Sequence, residues 1–504
     1  MPRTTSPSAV TAALARDRLG VPAVMSFVMG GIAALTVSAG VIPTAYATTG
    51  LTAIPAAFVV VAVVLGVFSV GYVAMARHIQ NCGSFYAFVT RGLGRPAGVG
   101  AALMAVVAYN LLQIGLYGAF GPGMASYAAD KFGLHAAWWA WALGAWVIVT
   151  ILGRLRVDLN GKVLAVLIAA EILVTVVLMV AGLMHPDHGQ VSVATLEPTK
   201  LFTPGVGALL VIAVLGYVGV EGAVVLTEEA RHPRRTVPIA TFAALGLIAF
   251  IYAGVSWAMA VHYGDGQVAG VAAKLGPDAL FTMGSALVAD IGRTLYLTSL
   301  FAAMLAFHGF CTRYMFALGR EGVLPRSFGR TGRSGSPKVA SSIQSLTGLA
   351  VIVLYAVEGW EPLVRLFFWL GTTGGFGILV LFAVTSVAVI GFFARQPSGE
   401  SVWRRIIAPA LAAICLTVMV WLAVDNYATL LGEAPGSAAA TWLPVIFAVA
   451  AGAGIVWALI LRGANSEVYA TIGLGAEAAS GAVPVVASTV MPGHGTHAAP
   501  EHTR

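Results

Sequence analysis

Residues 208–229 read ALLVIAVLGYVGVEGAVVLTEE, a stretch long and apolar enough to cross a bilayer that breaks its own pattern halfway. A hydrocarbon core of ~30 Å needs about 20 helical residues, and a helix that serves only as an anchor needs neither a glycine cluster nor an acid. Here Gly216, Gly219 and Gly222 bracket Glu221. A charge at that depth costs at least ~2.5 kcal/mol on insertion scales, so an acid there reads as functional by default. Glycines also serve to bring membrane helices close together. A cluster wrapped around an acid favours an interrupted helix at a binding site.

The rest of the chain is a fitting setting for such a helix. Of 504 residues, 59% are hydrophobic and 10% charged, and mean hydropathy is +0.88. A soluble domain carries roughly a quarter charged residues, so a cytosolic enzyme is excluded, as is a nucleic-acid binder despite the net charge of +7. Apolar stretches recur along nearly the whole length, which excludes a single-span receptor. The sequence predicts an all-α polytopic membrane protein embedded in a lipid bilayer. Twelve transmembrane helices are expected, at roughly 24–46, 52–76, 98–128, 136–153, 162–184, 206–227, 237–262, 291–318, 339–357, 362–394, 405–424 and 438–461. The third and tenth exceed a minimal span, so tilt or a break is expected in them. Cys82, Cys311 and Cys415 match no metal or redox spacing, and a disulfide-free chain is expected.

Positive charge orients the spans. With the N-terminus inside, 23 of the 28 Lys and Arg residues fall in cytoplasmic segments, and only Lys131, Lys200, Lys274, Arg293 and Arg365 lie outside. The chain is therefore expected in the cytoplasmic membrane with both termini cytoplasmic. Segment 77–97 mixes Phe85, Tyr86, Phe88 and Val89 with Arg and Gly, the pattern of an amphipathic helix lying at the inner interface. The stretch from Tyr263 to Asp290 reads as an external connection with a short helix around Val268–Lys274. The expected organisation is a tail at 1–23, a transport core at 24–394, two further helices at 395–462, and a disordered tail at 463–504. Of the tail histidines, His494, His497 and His502, a solvated role is expected rather than metal binding.

A second interrupted span stands five before the first. MSFVMGGIAALTVSAGVIPTAYA, residues 25–47, carries Gly30 and Gly31, the Thr36–Gly40 run and Pro43. Interrupted helices at corresponding positions of two halves point to a midplane binding site in secondary transporters. Spans one to five (24–184) and six to ten (206–394) would then form an inverted repeat. Free N–H groups of a half-helix suit a carboxylate, and unwound carbonyls suit an ammonium group. Besides Glu221, Glu171 is near the middle of span five, and His308 is the histidine well inside span eight.

Three motifs resemble the amino acid–polyamine–organocation superfamily of permeases. They are GYVGVEGAVVLTEEARHPRRTVPIA at 216–240, NCGSFYAFVTRGLGRPAG at 81–98 and RYMFALGREGVLP at 313–325, in the family's order. The resemblance implies a leucine-transporter-type fold, a 5+5 inverted repeat plus two helices, with substrate held at the breaks of helices one and six. It places Ala34, Thr36, Val37, Ser38 and Gly40 on one side of the substrate, and Gly216, Tyr217, Val218, Gly219 and Val220 on the other. Glu221 falls where relatives carry a gating or proton-responsive Glu. Glu171 falls near a position where some proton-coupled members have a Lys in place of a sodium ion, and an ionised acid cannot imitate that cation.

The expected activity is secondary transport of an amino acid or related amine, with no catalysis and no cofactor. Protons or exchange would drive it, with Glu221, Glu171 and His308 as candidates for gate or proton coupling. Sodium coupling is the rival; Thr298 or Ser299 would supply its hydroxyl. A ligand sensor that transports nothing is the reading from another class. No Gly-rich phosphate loop is present for a nucleotide-driven pump. Asn110, Gln113, Tyr217 and His308 are compatible with several substrate chemistries, so the sequence sets no single substrate, and it sets no oligomeric state.

Overall fold

The computed structural model describes residues 14, 18–79, 81–155, 157–187, 189–332, 335–396 and 399–475, with backbone alone for 157–164. The tail histidines and most of the N-terminal tail lie outside the described residues. The first half runs α1 (Val21–Ile32), α2 (Ala34–Thr36), α3 (Ile42–Thr49), α4 (Ile54–Ala76), α5 (Ser84–Leu93), α6 (Arg95–Phe132), α7 (Trp138–Leu152) and α8 (Val157–Met184). The second runs α9 (Val206–Gly216), α10 (Gly222–Val225), α11 (Pro233–Tyr263), α12 (Val268–Leu275), α13 (Asp278–Phe281), α14 (Ala286–Arg320), α15 (Lys338–Val357) and α16 (Trp369–Arg395). Then follow α17 (Ala408–Asp425), α18 (Tyr427–Leu431), α19 (Ala438–Ala464) and α20 (Ser466–Thr471). Among the described residues ten helices are long and apolar enough to cross a membrane. Two shorter apolar helices, α7 and α9, stand where the fourth and sixth spans were expected.

Apolar residues face both ways, as a membrane-embedded bundle requires. Phe58, Tyr109, Tyr252 and Phe310 fill the interior, whereas Leu173, Ile414, Trp421 and Val449 lie on the outside, where lipid replaces water as their solvent. At 38 residues α6 is about 57 Å long at ~1.5 Å per residue, so it runs past both faces of a ~30 Å core. It continues through Pro122, so the break thought possible in the third span is absent. The tenth span instead starts as a wide π-type turn, Pro362–Phe368, before α16.

Segment 77–97 departs from the interfacial helix that its pattern suggests. In α5 the side chains of Phe85, Tyr86, Phe88 and Val89 are fully buried within the protein. Gly92 lets this happen: a Cβ there would lie 2.0 Å from the Ala388 carbonyl oxygen, so backbone meets backbone between α5 and α16. The start of the tail also departs from the expected disorder. Asn465 caps α20 through its side chain, and residues 466–475 pack back onto the bundle.

Candidate functional site

Both glycine-marked spans are broken, and the breaks touch. Helix α1 stops at Ile32; Ala33 takes a left-handed conformation (φ 52°), and the helix restarts at Ala34. The restart then widens into a π-type turn over Val37–Val41, with Pro43 beyond it in α3. In span six, α9 stops at Gly216 and residues 217–221 run as turns before α10. Gly219 sits at φ 115°, and a Cβ there would lie 2.8 Å from both Gly31 C and Ile32 N. Only glycine fits that conformation at that separation. The two breaks thus meet backbone to backbone at Gly219.

Glu221 is buried against this junction with both carboxylate oxygens occupied. Tyr109 of α6 donates to Oε1 at 2.8 Å, and the Gly219 amide donates to Oε2 at 2.9 Å. Tyr109 itself stands in an aromatic wall with Phe307, Phe310 and Tyr314, ring centroids 5.5–6.1 Å apart. The carboxylate therefore fastens α6 to the span-six break. Tyr109 was missed in the sequence, where a tyrosine in an apolar helix carries no mark of its partner.

Glu171 differs. It is 1% exposed, and among the described residues its Oε1 has no hydrogen-bond partner. Around the carboxyl lie the Ser299 hydroxyl of α14 and the Leu35 amide in the first turn after the span-one break. Ser299 Oγ also accepts from the Thr36 amide at 3.2 Å and lies 3.1 Å from the Thr36 hydroxyl. A buried carboxylate oxygen left unpaired is costly. Protonation, or a cation beside it, would relieve that cost.

The other predicted residues divide. Ala34 and Val37 are buried at the restart, and Val37 Cγ1 would lie 3.2 Å from a Cβ on Gly216. Ser38 is fully buried, its hydroxyl without a hydrogen-bond partner among the described residues, while Gly40 faces the Tyr296 hydroxyl. Val218 and Val220 are buried in the span-six turns. Tyr217 turns away, donating its hydroxyl to the Phe58 carbonyl at 2.9 Å. His308 stands on another face of α14, bonded to Ser341 at 2.9 Å and pressed on Gly153. Gln113 is tied up with Gln344 and Tyr117, and Asn110 with Cys311 and the Val106 carbonyl. These contacts engage the polar atoms of His308, Gln113 and Asn110 with α6, α14 and α15 rather than with the two breaks.

Charged groups close one end of the bundle. Arg313 forks onto Glu229 at 2.6 and 3.1 Å, and Arg320 onto Glu228 at 2.7 Å for both bonds. The Glu229 carbonyl takes the Arg18 and Leu19 amides, and the Glu228 carboxylate takes the Cys82 amide. Burial works against an ionised Glu228, but the Arg320 bonds and charge prevail and hold its carboxyl below the usual range. A small cavity of ≈ 20 Å³ is lined there by Phe27, Glu229, Arg313 and Ser336 among others. At the far end of α6 the pairs are Lys131–Asp290, Arg293–Asp278 and Lys200–Asp265, all in open surroundings.

Residues 19–460 match the family model described as "Amino acid permease". This chain belongs to the amino acid permease family. Curated members resemble it at low identity. The branched-chain amino acid permease BcaP of Lactococcus lactis is 21% identical over 71% of this chain and 78% of its own length. The low-affinity putrescine importer PlaP of Escherichia coli is 22% identical over 78% and 83%. The methylthioribose transporter of Bacillus subtilis is 25% identical over 49% and 48%. Family membership places the chain among multi-pass membrane transporters of small molecules, and its helices fit that class. The named substrates of these three relatives span an apolar amino acid class, a diamine and a thiosugar, so the family alone leaves open which small molecule this permease carries.

Proposed function

We propose that this permease is a secondary active transporter of amino acids or related amines in the cytoplasmic membrane, working by alternating access and coupled to protons at Glu171. The observation that carries the coupling is the buried Glu171 Oε1 beside the span-one break, which has no hydrogen-bond partner among the described residues. Substrate would sit at the junction of the two breaks, its carboxylate toward the positive end of the helix that restarts after Ala33 and its ammonium on carbonyls of Gly216–Val220. A neutral Glu171 is tolerated in the buried, closed site, whereas an ionised one, buried beside the break, favours opening to water. Glu221, satisfied on both oxygens, serves as a gate that ties α6 to the span-six turn. Two breaks five spans apart that meet at Gly219 support a leucine-transporter-type inverted repeat, with 24–184 and 206–394 as its halves. Movement of spans one, two, six and seven against the rest would open each face in turn. The Arg-rich end would be cytoplasmic, as the charge distribution favours.

One observation favours a second reading. The Glu171 carboxyl and the Thr36 and Ser299 hydroxyls could hold a sodium ion, since unwound helix and carboxylate oxygens suit a small cation. Uptake of radiolabelled leucine and of putrescine into proteoliposomes, under a proton or a sodium gradient imposed separately, decides between them. Accumulation under the proton gradient alone supports the proposal, and strict sodium dependence overturns it. Absence of any counterflow across a full panel of amino acids and amines would favour a sensor instead.

A further inference from the structure

Glu321, directly after α14, is 2% exposed and carries no ion-pair partner among the described residues. Its carboxylate is solvated instead by four donors. Asn81 Nδ2 and Tyr86 OH reach it from the segment around α5, at 3.0 and 2.5 Å. The other two are backbone amides from far along the chain: Gly473 at 2.5 Å and Gly475 at 2.8 Å. Both glycines sit at positive φ, 83° and 63°, so the segment after α20 curls its amides around one carboxylate, a nest for an anion. The wrapping continues beyond the carboxylate. Thr471 donates to the Glu321 carbonyl at 2.8 Å, Arg91 to the Gly473 carbonyl, and Arg95 both donates to the Ala470 carbonyl and lies over the Tyr469 ring.

The position of this clasp gives it a consequence. Glu321 adjoins Arg320, whose fork onto Glu228 helps close the Arg-rich end. Holding Glu321 holds the end of α14, and with it the ion pair to the segment that follows the span-six break. We propose that residues 466–475 are a latch: docked on Glu321 they keep the Arg-rich end shut, and they must let go before that end can open. This rests on the alternating-access reading, since a latch needs an opening to restrain. Desolvated Glu321 also supplies the means of release, because undocking exposes the carboxylate to water, which replaces the two lost amides.

The test uses a thiol already in place. Cys82 is fully buried at the closed end, beside Glu228 and Arg313, so its labelling by N-ethylmaleimide reports opening there without any substrate. In a C311S/C415S background, truncation after Ala464 should speed Cys82 labelling about tenfold, the shift expected for losing two charge-assisted bonds that favour one of two states. Gly473→Val tests the same point with the chain intact, since a Cβ there would lie 2.5 Å from Thr90 Cγ2. Glu321→Gln, which turns a donor toward one of the two amides, should act in the same direction. Faster labelling in Gly473→Val and Glu321→Gln supports the latch even where the truncated chain does not assemble. Labelling unchanged in Gly473→Val, with or without a fall in Tm, overturns it, because a segment that merely steadies α19 would lower stability without opening the gate. Counterflow in the full-length chain is measured separately. Its absence would strike the transport reading, whereas unchanged labelling strikes the latch alone.

Discussion

The two ends of the bundle both hold carboxylate–cation pairs, but in different media. At the Arg-rich end, side-chain exposure is 8% and 2% for Arg313–Glu229 and 1% and 8% for Arg320–Glu228. At the other end, Lys131–Asp290 stands at 39% and 46%, and Arg293–Asp278 at 40% and 49%. Buried pairs commit a structure to one geometry, because separating the partners strands a charge away from water. Exposed pairs are exchanged freely for water and ions. The contrast teaches that the described conformation is held shut at one end by contacts that are hard to break and merely decorated at the other. A protein that opens each face in turn must spend its main barrier on the Arg-rich side.

The largest effect should come from stranding one of those buried charges. Glu229→Gln leaves the Arg313 guanidinium buried with half its partner, and a loss of about 3–5 kcal/mol is expected on the scale of broken buried pairs. A falling Tm in detergent, together with faster Cys82 labelling, would show it. An unchanged Tm would mean that the two ends do not differ as described.

Acid should act on the same end in a definite direction. Glu228 has its carboxyl held low by Arg320, so the stability it confers is present above the ordinary carboxylate value of about 4.3 and is lost as pH falls through the depressed folded value. Tm measured from pH 7 downward should therefore hold steady at first and drop in strong acid. In Glu228→Gln the plateau should lie lower and the acid drop should be shallower. An equal drop in both proteins would remove Glu228 from the account.

The smallest effect belongs to the open end. Lys131→Met should leave Tm unchanged within scatter, because its partner is already solvated. Raising salt from 0.1 to 1 M, which shortens the screening length from about 10 to about 3 Å, should reproduce whatever change Lys131→Met makes and leave the Arg313–Glu229 pair untouched. A salt-sensitive Arg-rich end would contradict the comparison.

How much of this was legible follows from where each constraint resides. The span-six break announces itself because a φ of 115°, where a Cβ would lie 2.8 Å from another backbone, admits glycine alone, and glycines around an acid are visible in one line of sequence. The span-one break is harder. It falls at Ala33, upstream of the Thr36–Gly40 run, and an alanine at φ 52° leaves no compositional trace. Glu171 and Glu221 are equally conspicuous as buried acids, yet only their partners separate a satisfied carboxylate from an unsatisfied one, and Tyr109 and Ser299 lie on other helices. Helix α5 and the segment after Asn465 were misjudged for the same reason. Their local patterns suit a lipid surface and a solvated tail, and what buries them is Ala388, Tyr314 and Glu321, each far away along the chain.

The central claim is that Glu171 carries the proton that drives accumulation. Proteoliposomes containing wild type or Glu171→Gln, given an inward proton gradient and a radiolabelled substrate taken from the counterflow panel, test it most directly. The account predicts that Glu171→Gln still exchanges substrate across the membrane but no longer concentrates it, with rates independent of pH. Gradient-driven accumulation in Glu171→Gln equal to that of wild type would contradict the claim.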